Sequence, residues 1–200
     1  MGFKVREFET RADFWLYAAK RVRESKSTID DLTWGEVLPT TRTRKDKAAY
    51  GIYRHEIELA STGKGVNQGK IYREIMSFPN DARLRRALPL LDPKYRNYEL
   101  RYYDYKHSGT PPLLQFYVFD KMEVLISLTP LTRSPVDSRY MTFRSRQLAD
   151  LMTDYFEAAW RDAITLKDFE IIEWSTLNKI AKQFGWKDAR QPPSDNGLNP

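Results

Sequence analysis

The 200-residue chain contains no cysteine and only two histidines, His55 and His107. The first absence excludes disulfides, thiol catalysis and every cysteine-based zinc site, and it fits a reducing compartment. The second makes a chelate built on histidine alone untenable, although carboxylate sites for magnesium or calcium stay open. No apolar run approaches the twenty or so residues of a membrane span. The opening MGFKVREFETR is too charged for the apolar core of a signal peptide, and Arg6 stands where a myristoylation signal needs Ser or Thr. These absences lead to a cytoplasmic expectation, with no metal and no cofactor.

Against these stand 33 basic and 27 acidic residues, a formal charge of +6 and a pI near 9.4. The balance favours an anionic partner over a cationic one, within a mixed surface that also serves plain solubility. Twelve tyrosines and five tryptophans exceed what a plain core needs, so a ligand groove or subunit interface is expected to use some of them.

Periodicity predicts a helix over 11–26, with Phe14, Tyr17, Ala18, Arg21 and Val22 at helical spacing. A short extended stretch follows around IDDLTW, then a loop over 36–44. A second helix over 45–61 places Ala49, Ile52, Tyr53, Glu56, Ile57 and Ala60 on one face. STGKGVNQGK reads as a helix stop and turn; it lacks Walker spacing, since Lys70 is followed by Ile71. Strands are predicted over 70–78, 97–107, 113–120 and 121–128, the last two as a hairpin turning at Asp120 and Lys121. Between the first two of these strands lies a short helix capped by Asn80 or Asp81. It carries Arg83, Arg85 and Arg86, of which Arg85 and Arg86 are expected to form its wet face. The clearest amphipathic helix spans 143–164, and a further helix with Ser175 as cap ends near Gly185. The expected fold class is therefore α/β, a mixed sheet flanked by helices on both faces. The chain divides into an α/β domain over 1–168, a helical extension over 169–190 and a disordered tail over 191–200.

Several clusters are candidates for chemistry. Asp31, Thr33 and Trp34 fall at a strand end, where open α/β sheets gather ligands; Asp30 and Asp31 alternate in direction and so do not form a chelating pair. The loop after them carries Arg42, Arg44, Lys45 and Lys47, cations suited to an anion such as a nucleotide or phosphate. RYYDYKH alternates Arg101, Tyr103, Tyr105 and His107 with Tyr102, Asp104 and Lys106, offering rings and cations to a nucleic acid or, equally, packing to a helix.

The hairpin LLQFYVFDKMEVLISL, the closing helix DYFEAAW and the strand–helix–strand order before them together resemble one half of a phospholipase D-like domain over residues 11–164. The likeness is to the non-catalytic versions that serve as sensor or regulatory domains in bacteria and archaea. Catalytic members of that family carry His-x-Lys-x-x-x-x-Asp in this hairpin, the histidine attacking phosphorus and the lysine holding phosphoryl oxygens. Here Leu113 takes the histidine position and Gln115 the lysine position, and only Asp120 is kept. Ser127, Leu128, Thr129 and Pro130 replace the Gly-Ser-x-Asn stretch, and the chain has one copy of the motif where the enzymes use two.

The resemblance therefore implies a non-catalytic ligand-binding or regulatory domain. It also implies a homodimer, because the family pairs its halves. Its ligand site would draw on Asp31, Thr33, Trp34, Arg42, Arg44, Tyr103, Gln115, Asp120 and Ser127. A rival reading is a phosphodiesterase or nuclease using Asp120, His107 and Gln115 in an unusual constellation. A third is a nucleic-acid-binding surface on RYYDYKH and the 40–47 loop.

Overall fold

The computed structural model describes residues 4–33, 43–104, 114–128 and 139–193. Their elements run β1 (Lys4–Phe8), α1 (Arg11–Glu24), β2 (Thr28–Thr33), α2 (Arg44–Ser61), β3 (Ile71–Met76), α3 (Asp81–Ala87), β4 (Tyr98–Tyr102), β5 (Gln115–Phe119), β6 (Glu123–Leu128), β7 (Arg139–Arg144), α4 (Arg146–Asp162), β8 (Ile164–Asp168), β9 (Ile171–Ile172) and α5 (Trp174–Gln183). Short 3-10 turns at Gly65–Asn67 and Leu88–Leu91 complete the path.

All strands join one nine-stranded mixed sheet in the order β1-β7-β6-β5-β2-β3-β4-β8-β9. β2, β3 and β4 are parallel to one another and every other pairing is antiparallel. The parallel trio has connections through α2 and α3, and β2 is buried on both faces, as covered parallel strands are. One face packs Phe14, Ala18 and Val22 of α1, Tyr53 and Ile57 of α2, and Leu177 and Ile180 of α5 into a large core. The other packs Ala149, Met152, Phe156 and Trp160 of α4 onto Leu32, Ile75, Phe116, Val118 and Val124.

Local chemistry sets the helix starts. Thr10, Asn80 and Ser145 accept from the backbone N–H three residues on, and Thr43 with Asp46 forms a reciprocal capping box. α2 stops at Ser61, and Gly63 then takes φ +62 with Asn97 so close that a Cβ would lie 2.6 Å from its side chain.

The α/β class, the two-sided covering and the hairpin are as the pattern predicts. The differences lie at the edges. β1 and β7 were not expected as strands: each pairs in a ladder that only long-range contact creates, Lys4↔Arg144 to Phe8↔Tyr140. The helix expected over 143–164 begins at Arg146, because Phe143 and Arg144 belong to β7, and Ile164 already belongs to β8. The strand expected over 97–107 is Tyr98–Tyr102 among the described residues. Ser175 lies inside α5, whose cap is Glu173 without a side-chain bond. Ile52 is 45% exposed, off the buried face of α2. Arg86 is not wholly on a wet face, since its Nη1 is buried; Arg83, on the same helix, donates to the Thr33 carbonyl at 3.3 Å. Among the described residues no helix is long and apolar enough to cross a membrane.

Candidate functional site

Because β5 runs antiparallel to β2, the start of β5 lies beside the end of β2. The carboxyl ends of β2, β3 and β4, the start of β5 and the end of β6 therefore form one rim of the sheet. Alternation turns Asp31 and Thr33 of β2, Gln115 and Tyr117 of β5, and Ser127 of β6 to the same face. Asp31 is the register partner of Tyr117, and Gln115 that of Ser127. α2 covers this face, and its exposed first residue, Arg44, reaches the same end because the helix returns antiparallel to β2. The structure thus puts Asp31, Thr33, Gln115 and Ser127 on one face at this end of the sheet, with Arg44 at the start of the helix that covers it. Trp34, Arg42, Leu113 and His107 lie outside the described residues.

Two other candidates are placed elsewhere. Tyr103 packs with the core on the α4 face. Asp120 sits at the opposite end of β5, five residues and roughly 16 Å from Gln115 at strand rise. It occupies the hairpin turn with φ 52, followed by Lys121 at 54. Its carboxylate accepts from Ser25 Oγ (2.6 Å), Lys26 N (3.0 Å), Ser27 N (2.8 Å), Ser27 Oγ (3.0 Å) and Thr28 N (3.3 Å). Burial opposes its charge, but the bonds from Ser25, Ser27 and Lys26 prevail and hold its pKa below the usual carboxylate range. This acid fastens the hairpin turn to the α1–β2 connection and has little left to offer a substrate.

Beneath the rim lies a buried polar cluster. Asp31 is 2% exposed and accepts from Thr33 Oγ1, from Tyr72 Oη at 2.7 Å and from Tyr53 Oη at 3.3 Å. Tyr53 and Tyr72 hydroxyls meet at 2.9 Å, and Tyr98 donates to Glu74 at 2.6 Å. Glu74 is the register partner of Asp31 on β3, so two carboxylates stand side by side in the interior. Burial, then the negative Glu74, drives the Asp31 pKa well above that of a free carboxylate, with the bonds from Thr33 and Tyr72 and the charge of Arg83 opposing. Burial also raises Tyr53, Tyr72, Tyr98 and Tyr117 well above the ordinary phenol. Burial works against the charge of Arg54, yet Tyr50 and Glu74 outweigh it.

Sequence reading found Asp31 but missed Glu74, Arg54, Arg83 and the four tyrosines. The available signal was parity: in IYREIM, Tyr72, Glu74 and Met76 share a face, so a doubly covered strand had to bury that acid. The same alternation sends Asp30 the other way, where it is bound by Arg73 Nε at 2.8 Å, and Arg73 also pairs with Glu157 at 2.7 Å. Among the described residues no group of three or more histidines, aspartates and glutamates is arranged to hold a metal ion. His55 is an exposed residue of α2.

No family model and no curated protein matches the sequence. Solved structures do match. The chain superposes on NucT from Helicobacter pylori with a TM-score of 0.56 at 12% identity, covering 82% of this chain and 99% of that one. Nuc from Salmonella typhimurium, a phospholipase D family member, gives 0.50 at 10% identity, with 84% and 99% covered. TrmBL2, an archaeal chromatin protein with a novel mode of DNA binding, gives 0.52 at 15% identity, with 80% of this chain covered. The chain spans about half of TrmBL2, 54% of its length. At such identities the likeness is one of fold.

Proposed function

We propose that this phospholipase D-like fold serves here as a non-catalytic binding domain, which takes an anionic ligand, a nucleotide or another phosphate, at the carboxyl rim of the sheet. The observation that carries the reading is Gln115. It stands at the head of β5, where the resembled enzymes place the lysine that grips phosphoryl oxygens, and an amide hydrogen-bonds but brings no charge. Leu113, two residues before it, has no nucleophilic atom. Gln115 and Ser127 offer neutral donors and acceptors, Thr33, whose hydroxyl hydrogen goes to Asp31, offers an acceptor, and Arg44 offers a cation at the same end. This set is fit for holding an anion without attacking it.

The domain works as a homodimer in this reading. Leu151 and Tyr155 of α4 are 62% and 42% exposed, and the Tyr155 ring lies 5.9 Å from that of Phe116, next to Gln115. A self-complementary pairing through α4 would cover both and bring two rims together. Sedimentation at micromolar concentration should give twice the mass of the chain.

Two assays on the purified protein test the function. A chromogenic phosphodiester, bis(p-nitrophenyl) phosphate, should not be turned over at any pH. ATP should bind saturably in calorimetry, with affinity lowered about tenfold or more by Arg44→Ala combined with Gln115→Leu. Turnover that vanishes in a folded His107→Ala variant would establish the phosphodiesterase instead.

A further inference from the structure

At the far end of the molecule from this rim, α1 and the β1 edge of the sheet border an open cleft of about 340 Å³ lined by Lys4, Val5, Arg6, Tyr17, Lys20, Thr142 and Arg144. Four of these seven side chains are cationic, and they come from three separate elements: Lys4 and Arg6 from β1, Lys20 from α1, Arg144 from β7. Register sets this convergence, since Lys4 pairs with Arg144 and Arg6 with Thr142.

The cleft has one acid at its floor, and that acid is already occupied. Glu123, 1% exposed, accepts from Tyr17 Oη at 2.5 Å, Thr142 Oγ1 at 2.6 Å and Arg144 Nε at 2.9 Å, and lies 3.0 Å from Arg21 Nε. Two guanidinium groups neutralise it. Lys4 and Arg6 have no carboxylate partner among the described residues; Arg6 rests over the rings of Phe8 and Tyr17 at 4.9 and 5.4 Å. Lys20 makes only a long exposed pair with Glu24 at 3.8 Å. The positive charge of the cleft is thus largely uncompensated.

Charged residues on an edge strand also guard a sheet against pairing with another. Lys4 and Arg6 would meet that need alone. It gives no reason for Lys20 on a helix to face the same space, and Arg144, although bound to Glu123 through Nε, keeps 57% of its side chain exposed there.

We infer that this cleft is a second anion site, distinct from the rim and independent of the function proposed for it, and that it takes the phosphate backbone of a nucleic-acid strand. A strand fits better than a single small phosphate because the cations are spread along an open edge and do not close around one point. Tyr17 is held by Glu123, so the contact is to backbone and carries no sequence preference.

Fluorescence anisotropy of a labelled mixed-sequence single-stranded oligonucleotide, measured over a salt series, tests this. Four phosphate contacts predict a slope of log affinity on log salt of about −3, a loss of roughly fiftyfold between about 50 and 200 mM salt. Lys4→Gln with Lys20→Gln, both exposed positions whose loss leaves the core untouched, should reduce the slope by about 1.4. Lys187→Gln, an exposed cation at the C-terminal end, should leave it nearly unchanged. A thermal melt superposable on the parent's confirms that the double variant is folded; if it is not, Arg6→Gln replaces it with an expected change of about 0.7. Equal slopes in the parent and the folded cleft variant, or no binding at the lowest salt, would overturn the inference. So would binding of free pyrophosphate to the cleft without binding of the oligonucleotide, since the source would then be a small anion and not a strand.

Discussion

Two neighbouring aspartates show how much depends on one step along a strand. Asp30 faces α4 and is held by Arg73. Asp31 faces α2, beside Glu74 and among hydroxyls, and among the described residues it makes no ion pair. The sign of its effect on stability follows. The folded pKa of Asp31 is raised above its unfolded value, so from about pH 4 upward the unfolded chain releases a proton that the folded one keeps, and stability falls. Asp120 and Glu123 are shifted the other way, and their contribution is lost only as pH falls below the ordinary carboxylate range. Asp31→Asn can still accept from Tyr72 and can donate to the Thr33 hydroxyl. It should be more stable than the parent by about 1 kcal/mol at neutral pH, with a flatter stability profile between about pH 5 and 7. Urea midpoints at several pH values read this directly, and parallel profiles for the two proteins would show that Asp31 is charged in the fold at no cost.

At the scale of elements, the hairpin β5–β6 is central to the sheet and its turn is tied down from outside. Five donors from Ser25 to Thr28 converge on Asp120, and its backbone N–H donates to the Thr28 carbonyl at 2.9 Å. Removing the carboxylate strands those donors and leaves a residue at φ 52 that alanine adopts at a cost. Asp120→Ala should cost about 3 kcal/mol in chemical denaturation, and Asp120→Asn, which keeps an oxygen and tolerates the left-handed backbone, about half as much. ATP affinity at the rim should be unchanged in the asparagine variant, because the two places lie at opposite ends of β5. A variant of near-parental stability would mean that the turn is held by its backbone alone. This hairpin was legible because both strands are apolar, and the acid between them marks the turn. β1 and β7 were not, because KVREF and RYMTFR are charged or mixed at most positions and become strands only through each other and β6.

Across the whole molecule the C-terminal segment is part of the main core. Leu177, Ile180, Ala181, Trp186 and Ala189 pack with residues of α1, α2, β3 and β4 on the same side of the sheet. Trp186, 3% exposed, also lies under the Arg85 guanidinium at 4.7 Å. Trp186→Ala should therefore lower stability by about 3–4 kcal/mol in a single cooperative transition. A separate early transition, with the sheet surviving, would show instead that the C-terminal segment folds as an appendage.

The sequence by itself determined the fold class, the order of most elements and the turn at Asp120. These follow from hydrophobic period, turn chemistry and residue identity, all of which act over a few neighbours. Tertiary structure decided which residues meet. It placed Glu74 beside Asp31, sent Tyr103 to the opposite face, moved Asp120 to the far end of the sheet, and gathered Lys4, Arg6, Lys20 and Arg144 around one cleft. Those outcomes depend on strand order and register, which are set by pairings between segments as distant as Lys4 and Arg144, and no local pattern encodes them.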